Sequence, residues 1–285
     1  MRMAVLAVLL AAGPGDAEIQ GSGIVLKTTS RLAGAIDSLS WGGKEFIDSY
    51  DHGRQLQSAC ALGDGGPNFW AETYNPTEAG SRKDGQGPTS TSKLLALKAE
   101  GNILETRTQM AFWLAPGEKS EGRPALNSTG LSKVILSKRV VIGIPEMSRV
   151  IEYTATFTLP KDESHPFAQF EALTGYMPAE FTKFLGFDPG TRSTRPLSDG
   201  PGEQELPVIF STESGSHAVG IFSPDPLPGY GRWRFRAEKV VKWNCVFRER
   251  KPEGVAAGDH TFHCFVAVGT LADVTESLQK LARQK

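Results

Sequence analysis

The chain has little cysteine, little helix signal, almost no net charge, and no long apolar run after its first few residues. Each lack excludes something. Three cysteines, Cys60, Cys245 and Cys264, cannot form a fully paired disulfide framework, and their spacing fits no zinc pattern. Cys245 and Cys264 could pair if their strands adjoin; burial as small apolar residues is the commoner fate. Lys and Arg number 31 against 32 Asp and Glu, so no basic patch for nucleic acid or an anionic membrane stands out. No G-x-S-x-G elbow accompanies Ser30 or Ser211, and no glycine-rich phosphate loop is present. His260 and His263 are three apart on an expected strand and so point to opposite faces, which rules out a metal pair there. No metal and no cofactor is expected.

What is present is turn chemistry and alternation. The chain holds 31 glycines and 18 prolines, and 39% of its residues are hydrophobic, enough for a real core. From Ile103 to Leu114 the apolar residues Leu104, Met110 and Phe112 alternate with Glu105, Arg107 and Gln109, the period of a strand with one wet face. Ile151, Tyr153, Ala155, Phe157 and Leu159 repeat the pattern. Shorter strands are expected at Ile24–Leu26, Ala35–Trp41, Glu45–Ile47, Leu94–Ala99, Val134–Ile144, Phe167–Leu173, Val208–Ser211, His217–Phe222, Val240–Arg248 and His260–Val268. Gly42-Gly43 and Gly101-Asn102 read as hairpin turns. The best helix is C-terminal: Thr270 and Asp273 resemble a capping box, and Leu271, Val274, Leu278 and Leu281 share one face. Ala179 to Phe184 is ambiguous. Ala79–Ser92, Pro116–Gly130 and Gly186–Pro207 read as long polar loops, the last as a rim. Asn127-Ser128-Thr129 is a glycosylation sequon.

The pattern predicts an all-β protein, a large antiparallel β-sandwich closed by a short C-terminal helix. Arg2, the apolar run Met3–Ala12 and the small residues Gly15 to Ala17 read as a signal peptide over 1–17. That leaves 18–285 as a single sandwich, secreted or periplasmic, with no membrane span. Nothing sets the oligomeric state.

Certain phrases resemble those of galactose mutarotase-like proteins. Gly34-Ala35-Ile36-Asp37-Ser38-Leu39-Ser40-Trp41-Gly42-Gly43-Lys44-Glu45-Phe46 is similar to their opening hairpin. Asp51-His52-Gly53-Arg54-Gln55-Leu56-Gln57 stands where the superfamily places an arginine-bearing strand beside its sugar site. Ala257 to Phe262 and Val266 to Thr270 look like its last strands. The resemblance implies a β-supersandwich with a concave, carbohydrate-binding face. Its members include aldose epimerases, glycoside hydrolase and polysaccharide lyase domains, and non-catalytic sugar binders, so the fold selects no reaction. The epimerases' acid histidine and C-terminal base glutamate find no convincing match; Glu253 sits in a Pro/Gly turn.

Polar and aromatic residues concentrate between Asp51 and Gly80, an irregular stretch rich in turn formers. From it come His52, Tyr74 and Glu78 as candidate acids or bases, with His217 at a strand start as another. Arg54, Gln57, Trp70 and Asn75, with Arg232 and Trp233 from a second turn-rich segment, are candidate sugar contacts. Each has a bland alternative: a structural ion pair for Arg54, a backbone-bonded turn residue for His52, a solvated carboxylate for Glu78, a strand's wet face for Arg232. If Arg54 and Asn75 neutralise a uronate, a lyase follows; with a neutral substrate, Glu78 and a histidine suit hydrolysis or epimerisation. The rivals are a non-catalytic carbohydrate-binding protein and a structural sandwich with no ligand.

Overall fold

Alternating side chains must bury one face, and here they do so in two facing sheets. A computed structural model describes residues 15–283. The expected leader therefore falls, for residues 1–14, outside the described residues.

The chain opens with β1 (Ala17–Gly21), β2 (Ile24–Thr28), β3 (Ile36–Trp41) and the short β4 (Lys44–Glu45). Then come β5 (Leu56–Gly63), β6 (Pro76–Thr77), β7 (Lys93–Glu100), β8 (Ile103–Phe112) and a small hairpin of β9 (Lys119–Ser120) and β10 (Arg123–Pro124). The long central strands are β11 (Leu131–Ile144), β12 (Met147–Leu159) and β13 (Phe167–Pro178). β14 (Lys183–Asp188), β15 (Ser193–Pro196), β16 (Gly202–Gln204), β17 (Val208–Ser211) and β18 (Ala218–Phe222) follow. β19 (Gly229–Phe235), β20 (Val240–Arg250), β21 (Gly258–Gly269) and the helix α1 (Leu271–Leu281) complete the chain.

The antiparallel pairings trace two layers. One runs β1-β2-β3-β5-β13-β20-β19-β16. The other runs β7-β8-β11-β12-β21-β18-β17-β14-β15. β6 pairs with both β5 and β8 and so stitches the layers together. Aromatic rings fill the space between them: Phe157 of β12 meets Phe170 of β13 at 5.2 Å, and Phe262 of β21 stacks on Phe247 of β20 at 4.5 Å. α1 caps the outer face of the second layer, where Val274, Leu278 and Leu281 are buried against Ala218 and Phe222. Gly220 permits this approach, since a Cβ there would lie 2.6 Å from Val274. Thr270 and Asp273 form a full capping box, with Asp273 paired to Arg149. The fold is thus the expected all-β sandwich with a C-terminal helix.

Several local expectations change. The ambiguous Ala179–Phe184 segment is a turn at Ala179 and Glu180 that leads into β14. The Gly186–Pro207 segment is not a free rim: it holds β15 and β16, which pair with β14 and β19. Pro116–Gly130 contains the β9–β10 hairpin. The sequon asparagine is buried, its Asn127 amide donating to the Leu114 and Thr129 carbonyls, which removes it as a sugar acceptor in the folded protein. All three cysteines are buried and free.

One ion pair lies wholly inside. Glu78, just past β6, and Lys138 of β11 are fully buried with 2.5 Å between Oε1 and Nζ. The backbone N–H of Ser58 donates to the other carboxylate oxygen, and Ser58 Oγ in turn reaches Tyr153 Oη and the Ala172 carbonyl. Each charge would be costly alone. Lys138→Met is expected to lower stability in urea unfolding by about 3–5 kcal/mol, because it strands a buried carboxylate. The double variant Glu78→Leu/Lys138→Met is expected to recover much of that loss.

Candidate functional site

β13 is the middle strand of the first layer, paired to β5 on one side and β20 on the other. Its inner face carries Ala168 and Phe170, then Gly175 and Met177. Strict alternation would turn Glu171 and Thr174 to opposite sides. A register shift between Glu171 and Leu173 absorbs one residue, with Ala172 and Leu173 both buried. The bulge brings Glu171, Thr174 and Tyr176 onto the same outer face. Cross-strand register completes the floor: Gln57 of β5 lies opposite Thr174, and Lys242 of β20 lies between Tyr176 and Trp233 of β19.

A groove of about 250 Å³ sits on this floor, bounded by Gln57, Glu72, Asn75, Trp113, Glu171 and Lys242 and also by Trp70 and Tyr176. Its wall is the 3₁₀ turn Ala71–Tyr74. Trp70 donates from Nε1 to Ser120 Oγ at 3.0 Å, and that hydroxyl donates to Glu72 Oε2 at 2.5 Å, so the β9–β10 hairpin fixes both residues. Arg123 lies over the Trp70 ring. Trp113 follows β8; its backbone N–H donates to the Asn75 carbonyl, and its ring lies over Gly53, where a Cβ would come within 2.8 Å of it. Gly231 similarly leaves room for the Trp233 ring.

The floor is charged but internally compensated. Lys242 Nζ lies 3.4 Å from Glu171 and over the rings of Tyr176 and Trp233. Burial pushes the Glu171 carboxyl up, but the Lys242 ammonium and hydrogen bonds from Thr174 and Asn244 outweigh it, holding Glu171 below its ordinary pKa. For Lys242 burial pulls downward, and Glu171 with Tyr176 outweighs it, raising the ammonium's pKa. Burial raises the Tyr176 phenol.

The residues expected from sequence divide sharply. Gln57, Trp70 and Asn75 line the groove; Asn75 Nδ2 donates to the Cys60 carbonyl. Trp233 stands beside it, against Lys242. Arg54 lines a neighbouring cavity, and its guanidinium is taken up by Glu238 at 2.7 Å, Asp51 at 3.6 Å and Asp48 at 4.0 Å. None of the proposed acids and bases lines the groove, and of them His52 alone lines the neighbouring cavity. His52 is 1% exposed, with its ring nitrogens 2.7 and 2.9 Å from the Gly85 and Arg31 carbonyls, which leaves neither for a substrate. Glu78 is the buried partner of Lys138. Tyr74 turns from the groove to donate to Glu163 at 2.7 Å, beside His165. His217 lies against Trp41 and Phe46 and lines neither cavity. Arg232 alternates with Trp233, so it points to the other side of β19, where Ser198 and Gln204 bind its guanidinium.

Glu171, Tyr176, Lys242, Trp113 and Glu72 were not singled out from sequence. Glu171 and Lys242 did carry a signal: each is a lone charge in an apolar strand run, Phe170-Glu171-Ala172-Leu173 and Val240-Val241-Lys242-Trp243. Volume alone does not select the groove. A larger, open depression of about 540 Å³ runs along α1, but it has no aromatic ring in its lining. Its carboxylate, Glu276, is paired with Lys280.

The architecture is galactose mutarotase-like. A protein assigned as an aldose 1-epimerase, from Escherichia coli, aligns with a TM-score of 0.55 at 10% identity, over 90% of this chain and 99% of its own. A galactose mutarotase-like protein from Lactobacillus casei aligns at 0.50 and 8% identity, over 89% of this chain and all of its own. An α-mannosidase from Enterococcus faecalis aligns at 0.57 and 16% identity, over 96% of this chain but 31% of its own. No family model and no curated protein matches the sequence.

Because Glu171 has a depressed pKa in the folded state, its contribution to stability is present above the unfolded value and disappears as pH falls through the folded one. Glu171→Gln is expected to cost about 1–3 kcal/mol at neutral pH by leaving Lys242 unpaired. In urea unfolding followed as a function of pH, the gap to wild type should begin to narrow below the ordinary glutamate pKa of about 4.3 and close only as pH falls through the lower folded value.

Proposed function

We propose that this protein binds a neutral carbohydrate in the groove over β5, β13 and β20. The observation that carries the reading is the union of tryptophan walls with a polar floor whose cation is already matched. Trp113 and Trp70, the latter with Arg123 over its ring, line the groove with indoles, while Gln57, Asn75, Glu72, Glu171 and Lys242 offer hydrogen-bond partners of both kinds. That is the composition of a small-ligand site in which a few polar groups set orientation. The sugar-related names of the structural neighbours agree with it. Charge decides the kind of sugar. Arg54 is surrounded by three carboxylates and Lys242 is held by Glu171. Among the described residues, the cations that line the groove and its neighbouring cavity are held by carboxylates, and Arg123 stands only over the Trp70 ring, so the reading favours a neutral sugar over the uronate of the lyase arm.

A second reading, aldose epimerisation, rests on one observation: a carboxylate, an ammonium and a phenol meet at one point of the floor. Glu171 would take the proton of an anomeric hydroxyl while Lys242 or Tyr176 protonates the ring oxygen. Against it, the pairing holds Glu171 ionised and Lys242 protonated, away from the near-neutral pKa that proton transfer favours. Recognition is therefore the primary reading. Export is proposed only on the sequence of the N-terminus.

Tryptophan fluorescence titrations with glucose, galactose, mannose and galacturonate test the reading. A neutral sugar should change the emission, galacturonate should not, and Trp113→Ala should weaken the neutral sugar by about tenfold or more. Preference for galacturonate would contradict it. Mutarotation of α-glucose at the buffer rate, in polarimetry with and without protein, is the outcome expected if the site only binds.

A further inference from the structure

The groove does not end at Trp113. Gly53, Glu72, Trp113 and Tyr176 form a partition whose far side is a second cavity of about 380 Å³. We propose that this cavity is a second sugar subsite, so that the site takes a disaccharide or longer neutral glycan with its glycosidic linkage over the partition. The inference rests on the neutral-sugar reading of the first cavity and extends it.

Four observations carry it. First, the two cavities share those four residues, so a ligand in one abuts a ligand in the other. Second, the second cavity adds an aromatic ring of its own, Phe235 at the end of β19, two residues beyond Trp233 on the same outer face. Third, its cations are spent. Arg54 is bound to Glu238, Asp51 and Asp48, and Arg82 lies 3.4 Å from Glu118. A sulfated or uronate unit would have to compete with Asp51, Glu118 and Glu238 for these guanidiniums, whereas hydroxyls would find ordered carboxylate and guanidinium edges. Fourth, Glu72 stands on the partition with Oε2 engaged by Ser120, which leaves Oε1 to accept a hydroxyl beside the linkage.

The volumes fit the idea. At about 380 Å³ the second cavity is by itself on the scale of a small-ligand pocket. The Arg54–Glu238 pair ties the loop before β5 to the turn between β19 and β20 and lines only the second cavity, so it bounds that subsite and not the first.

Isothermal titration calorimetry of the wild-type protein with glucose, galactose and mannose, each beside cellobiose, maltose, lactose and β-1,4-mannobiose, tests the proposal. For the preferred sugar the disaccharide should bind about tenfold tighter than the monosaccharide. Phe235→Ala, checked for folding by circular dichroism, should erase most of that gain. Equal affinity for a monosaccharide and its disaccharides would overturn the second subsite while leaving the neutral-sugar groove intact. So would a Phe235→Ala variant that keeps the full disaccharide gain. Absence of binding by any sugar would overturn the groove reading and this inference together. The wild-type comparison decides the matter even if the variant does not fold.

Discussion

A carboxylate and an ammonium held side by side on the outer face of β13 and β20 govern what this molecule can do. Neither could sit in that floor alone. Glu171 is held by Lys242, Thr174 and Asn244, and Lys242 is flanked by the rings of Tyr176 and Trp233. The pair exists because β13 gains one residue in a bulge, which turns Glu171 to the same side as Tyr176. Without that shift the carboxylate and the phenol would lie on opposite faces. The groove's polarity and the charge state of its floor both follow from this arrangement.

The two layers contribute differently. The second layer is covered on its outer side by α1, with Val274 and Leu278 over Gly220. The first layer leaves the centre of its outer face to solvent, and loops from the Asp51–Gly80 region, Trp113 and the β9–β10 hairpin rise around it. Glycine matters here for space: at Gly53 and Gly231 an added Cβ would strike the indoles of Trp113 and Trp233. The interior instead spends its polar groups on cohesion. The Glu78–Lys138 pair and the Ser58–Tyr153 hydrogen bond link β5, β11 and β12 around the β6 crossing.

Much of the fold was legible because one-sided strands write their period into the sequence. The alternation in β8 and β12 and the capping residues Thr270 and Asp273 gave their elements directly. β19 resisted for a local reason: Gly229, Gly231 and the arginines look like a loop, and its core-facing side carries arginines that are satisfied by the β14–β16 segment. The site was half legible. The Asp51–Gly80 stretch did supply Gln57, Trp70 and Asn75 to the lining of the groove. Its acids and bases misled, because sequence does not reveal that His52 meets two carbonyls or that Glu78 points inward to Lys138. Glu171, Tyr176 and Lys242 come together only through a bulge and cross-strand register, neither of which is written as a local motif.

The most direct test of the central claim is a crystal structure of the protein grown with a neutral sugar at saturating concentration. The account predicts a sugar ring stacked on Trp113 or Trp70, with hydroxyls bonded to Glu171 and Lys242 and the Glu171–Lys242 pair intact. A sugar bound instead along the depression beside α1, with the floor of β5, β13 and β20 empty, would contradict it.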